Sequence, residues 1–142
     1  MATENQDTNL ENIAQDLMQS LAAGELSWEW DSRFNTVLTA FSVDKKELVH
    51  QAVSKSLDIT WDESSIENAS EAVKQVSSNL GGIVPGQQLL ISNPINGSFL
   101  YCAWWPWGNG QSISIRIAPV LVGDEAIQLD LLNCFKKIFC VE

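Results

Sequence analysis

The chain has 142 residues, enough for one domain with a full core. It carries 18 acidic and 8 basic residues, a net charge of −10, and such a field repels phosphate backbones and anionic lipid, so neither nucleic acid nor a membrane is expected as a partner. A hydrophobic content of 45% is ordinary for a globular protein, and no window approaches 18 apolar residues, so no membrane-spanning helix is expected.

Residues 1–7 read as a disordered tail. Thr8 and Glu11 form a capping-box pair, Leu10, Ile13, Leu17 and Leu21 recur at helical spacing, and Gly24 suits a left-handed cap, so a helix is expected over about 9–23. Leu26, Trp28 and Trp30 alternate with polar neighbours and predict a short additional strand near 26–31. Residues 33–43 satisfy two periods. Phe34, Val37, Leu38 and Phe41 fit one helical face, while Thr36-Val37-Leu38-Thr39 has strand propensity; the complete i, i+3, i+4, i+7 match favours a helix. Asp44 with Glu47 opens a second helix over 45–57, Ile59-Thr60-Trp61 reads as a connector with a buried anchor, and Ile66, Ala69, Val73, Val76 and Leu80 predict a helix over about 64–80.

The character changes at Gly81-Gly82. Gln87–Ser92, Ser98–Trp105 and Gln111–Val122 read as three strands separated by Asn93-Pro94, Asn96-Gly97 and Gly108-Asn109-Gly110, an antiparallel meander. Ile127, Leu131, Phe135 and Ile138 then predict a closing helix over about 124–140. The expected fold is therefore a single α+β domain spanning 1–142, with a helical first half, a three-stranded antiparallel meander and a C-terminal helix.

From 75 to 123 the only charged residue is Arg116, and Tyr101–Gly110 holds three of the six tryptophans. With Asn109-Gly110 as a two-residue turn, Trp105 faces Ser114, Ala103 faces Arg116 and Cys102 faces Ile117. Tyr101, Trp105 and Arg116 then share one sheet face, with cation–π contact across the diagonals. Pro106 is a difficulty in this register, because it falls where the ladder wants an N–H. Trp, Tyr and Arg dominate binding hot spots, which makes Tyr101, Trp105, Trp107 and Arg116 the candidate recognition surface. If the helices cover this face instead, Arg116 needs a carboxylate or carbonyl from another part of the chain.

Catalytic and metal chemistry finds little footing. His50 is the only histidine, the spacings of Cys102, Cys134 and Cys140 match no ligand pattern, and the three thiols read as core residues. No catalytic residue, metal or cofactor is expected, and nothing supports an enzyme. An odd cysteine count without a pairing pattern, and a start lacking a basic end and an apolar run, lead to the expectation of a reducing cytoplasm. The leading expectation is a non-enzymatic interaction module that meets a protein partner, or itself as a homodimer, through the aromatic hairpin or a sheet edge. The alternative is a small-molecule binder with a tryptophan-lined apolar pocket between sheet and helices. In size, acidity and α+β composition the chain resembles secretion chaperones, and an α-β-β-α-β-β-β-α order would resemble roadblock-type light-chain domains, implying a dimeric adaptor. The second resemblance requires a strand at 33–43 and one connecting helical segment over 44–80. No motif residue carries either.

Overall fold

The two longest strands, β5 (Phe99–Pro106) and β6 (Ser112–Val120), form the middle of a six-stranded sheet in the computed structural model, which describes residues 6–121 and 125–141 apart from the side chains of 6–9 and 125. Four shorter strands flank them: β1 (Glu29–Asp31), β2 (Thr36–Ser42), β3 (Ile59–Trp61) and β4 (Gln88–Ile91). Every pairing is antiparallel and the order is β1-β2-β6-β5-β4-β3. Four helices complete a mixed α+β fold: α1 (Gln6–Leu21), α2 (Lys46–Ser56), α3 (Glu71–Asn79) and α4 (Glu125–Ile138). Among the described residues no helix is long and apolar enough to cross a membrane.

The three-stranded meander is thus only the centre of a wider sheet. Residues 36–42 are the strand β2, not a helix. Val37, Thr39 and Phe41 are buried on one face, and β6 offers them an edge to pair with from Val37↔Ile117 to Ser42↔Ser112. The turn into β2 is shaped by Asp31, whose Oδ1 accepts from the Arg33 N–H at 3.0 Å, and by Asn35 at φ 58°, a left-handed conformation that Asn tolerates better than most residues. Residues 59–61 are an edge strand paired with β4. The helix expected over 64–80 is divided into a 3-10 turn at Ile66–Asn68 and α3, with Ser70 Oγ capping α3 by accepting from the Val73 N–H. At the N-terminal end Gln6 and Asp7 already belong to α1, Thr8 lies inside it, and the left-handed residue that follows is Glu25 (φ 54°), one position beyond Gly24. Residues 1–5 of the expected tail lie outside the described residues.

With β3 and α3 interposed, the order is α-β-β-α-β-α-β-β-β-α, which departs from the roadblock-type order.

Alternation along the strands builds two cores. On the first face Val37, Phe41, Leu90, Leu100, Cys102, Trp104 and the three isoleucines 113, 115 and 117 pack under α1 (Leu10, Ala14, Leu17, Leu21), α2 (Val49, Val53) and α4 (Leu131, Phe135). On the second face Leu89, Ile91, Phe99, Tyr101, Ala103 and Ala118 pack under α3 through Val73 and Val76. Of the three thiols only Cys102 is buried; Cys134 is half-buried and Cys140 exposed, so the expectation of core thiols holds for one of them. Cys140, at φ 58°, follows the closing helix between Phe139, which is buried in the core, and Val141, which packs against it, so the chain stays on the core and only this thiol is exposed.

Candidate interaction site on the second sheet face

The β5–β6 hairpin adopts the expected register: Trp105↔Ser114, Ala103↔Arg116 and Cys102↔Ile117. Its tip is closed by the Trp107 N–H donating to Ser112 O at 2.8 Å and the Gly110 N–H to Trp107 O at 3.2 Å, with Gly110 at φ 72°. This pattern resolves the difficulty at Pro106. In an antiparallel ladder bonded pairs alternate with non-bonded ones. Since Trp107 bonds to Ser112, the Pro106 nitrogen points away from β6, toward the side of β4. There β4 has already ended, at Gln88 opposite Trp104. No ladder bond is lost.

The three hairpin indoles take three environments. Trp104 lies in the first-face core, edge-on to Phe41. Trp105 is half-buried on the second face. Trp107 at the tip is 47% exposed, yet its Nε1–H donates to Ser114 Oγ at 3.3 Å, so the exposed ring is tethered to the sheet.

Arg116 is buried, and its partner comes from the opposite end of the sequence. Its Nε donates to Asp31 Oδ2 at 2.9 Å, joining the central strand to the edge strand β1 across an intervening β2. The guanidinium lies 4.5 Å from the Trp105 ring centroid and 5.2 Å from that of Phe34, and these two rings meet edge-to-face at 6.3 Å. Burial by itself would raise the Asp31 pKa. The hydrogen bond from Arg116, the Arg33 backbone N–H and the two guanidinium charges outweigh it and hold the carboxyl below the usual aspartate range.

Of the four expected site residues, three meet at one place. Trp105, Trp107 and Arg116 line a groove of about 500 Å³ with Leu38, Ala40, Ser114, Pro106, Gln87 and Glu29. Tyr101 does not belong to it. Its ring is in the α3 core, only 6% exposed, and burial pushes its hydroxyl pKa upward; Phe34 takes the place expected for it beside Arg116. Phe34, Leu38 and Ala40 were hidden from sequence reasoning by the helical reading of 33–43. Asp31 was hidden by distance along the chain, although the lone cation in a charge-free stretch signalled that some acceptor must exist.

Among the described residues no group of three His, Cys, Asp or Glu is placed to hold a metal ion. Comparison with family models, with curated proteins and with solved structures found no match to this chain.

Proposed function

We propose that this chain is a non-enzymatic, cytoplasmic protein-interaction module whose contact surface is the uncovered part of the second sheet face. The observation that carries this reading is a disagreement between two paired strands. On that face β6 runs Ala118, Arg116, Ser114, Ser112 toward the hairpin tip, growing polar beyond the residues that pack under α3, with Arg116 and Ser114 covered instead by Phe34, Trp105 and Trp107. Beside it β5 runs Tyr101, Ala103, Trp105, Trp107, placing large aromatic rings where the cover ends. Folding alone does not call for an indole at a site that stays about half in water.

The tether from Trp107 to Ser114 supports the same reading, because a ring already fixed loses little rotamer freedom on binding. Asp31 neutralises Arg116, so the groove floor offers shape and ring faces and no free cation. The exposed carboxylate of Glu29 at the rim and the net charge of −10 favour a partner with an apolar anchor and basic flanks. Sheet-edge pairing is the poorer route. The registers leave a single residue of each three-residue edge strand, Trp30 in β1 and Thr60 in β3, with its peptide groups turned outward.

The test is affinity capture from the native cell with wild type, Trp107→Ala, Leu38→Asp and, as control, Leu129→Asp on the exposed side of α4. A partner retained by wild type and the Leu129 variant, and lost at least tenfold by the other two at unchanged melting temperature, supports the groove. Equal retention by all four removes it. Light scattering of the purified chain decides whether a second copy is the occupant.

A further inference from the structure

The opposite face of the same hairpin holds a second hollow, and we propose that it binds a small, uncharged planar molecule carrying a hydrogen-bond donor and an acceptor at separate points of its edge, as a carboxamide-bearing heteroaromatic ring or a purine does. This site is independent of the groove above and stands or falls separately.

The hollow, of about 550 Å³, lies between the first turns of α2 and the hairpin end of the first sheet face. That volume suits a small organic ligand. Trp104 and Ile113 form its floor, Val43 and Pro106 its apolar walls, and His50 and Gln88 its polar side. The floor is rigid. The Trp104 ring is fixed edge-on by His50 at 4.8 Å and by Phe41 at 5.8 Å between centroids, and it is almost wholly buried.

The polar side is set by one hydrogen bond between α2 and β4, His50 Nε2 to Gln88 Oε1 at 3.0 Å. With the amide oxygen accepting, a neutral ring carries its proton on Nε2 and has Nδ1 as an acceptor. The Gln88 amide nitrogen is left as a donor. Neither atom has another partner among the described residues. The two imidazole nitrogens point in widely divergent directions, so a planar ligand answers both atoms with a donor and an acceptor set apart along its edge, while its faces meet the apolar walls and floor. Lys46 and Glu47 leave the rim itself balanced, and an anion is disfavoured by the −10 field of the whole chain.

The chain's single histidine makes the test direct, since His50 supplies the only imidazole signals in a ring-labelled NMR spectrum. Nicotinamide and adenine are titrated at constant pH, with toluene as a ring lacking the polar edge and benzoate as an anion. Saturable shifts of the His50 ring and Ile113 methyl signals with nicotinamide or adenine, an unmoved Leu38 methyl, and binding at least tenfold weaker for toluene and benzoate are the expected result. Gln88→Leu should weaken the bound probe at least tenfold. Val43→Trp, made at an exposed rim position so that folding is spared, should abolish binding by filling the hollow. The proposal is overturned if neither probe moves the His50 signals at millimolar concentration, if toluene binds as well, or if Val43→Trp binds as wild type does.

Discussion

Three helices of 16, 11 and 14 residues close over the first face of the sheet, while the second face has the nine-residue α3 and the segments that flank it. The strands record the difference. Along β6 the first-face residues are Pro119 and then isoleucine at 117, 115 and 113; the second-face residues pass from Val120 and Ala118 through Arg116 to Ser114 and Ser112. The reach of a short helix is therefore written into the alternate residues of the strand it only partly covers. The exception is β5, whose rings at 105 and 107 stay large in the uncovered zone, and exceptions of that kind are where a binding role is to be sought.

The contrast breaks most visibly when each face is truncated. Val53→Ala under α2 and Val73→Ala under α3 delete the same side chain; the first, under the more fully covered face, should cost about 3 kcal/mol by urea denaturation and the second about 2 kcal/mol. Equal losses would mean that the faces are packed alike. An intermediate effect is expected at the Asp31–Arg116 tie. Asp31→Asn leaves a covered guanidinium without its counter-charge and should destabilise by about 2 kcal/mol at neutral pH. The sign with pH follows from the depressed Asp31 pKa. The contribution is fully present above the unfolded-state value of about 3.9 and is lost as pH falls through the lower folded-state value. The stability gap between wild type and the Asn variant should then be flat from pH 7 to 5 and close in strong acid; a gap that widens there contradicts the assignment. The smallest effect belongs to the uncovered end, where Leu38→Ser should change stability by less than about 1 kcal/mol in the same denaturation assay.

How far the fold could be read beforehand depended on whether one segment decided its own state. The hairpin register was legible because Asn109-Gly110 and the Ile113–Ile117 alternation are local signals that agree. The strand β2 was not, because Phe34, Val37, Leu38 and Phe41 satisfy both periods, and the choice is made by the open edge of β6 some 75 residues away. At three residues β3 is shorter than any periodic window. Within the groove, Trp105, Trp107 and Arg116 were found by residue type and parity. Tyr101 has the same parity, and it is separated from them only by where α3 happens to lie, which depends on the path of the loops on either side of it.

Pro106 has a further consequence for how molecules of this chain behave when crowded together. A protein with eight- and nine-residue strands rich in isoleucine and aromatic rings is a natural seed for cross-β stacking. Here the two longest strands lie inside the sheet, the edge strands are three residues long, and where β5 runs past β4 toward the hairpin tip it carries an imino acid with no proton to donate; the open border is the short Thr39–Ser42 end of β2 beyond β1. Among the described residues the β5–β6 hairpin therefore offers fibril elongation little backbone template, and its apolar rings can face water without recruiting copies of the chain through their own strands.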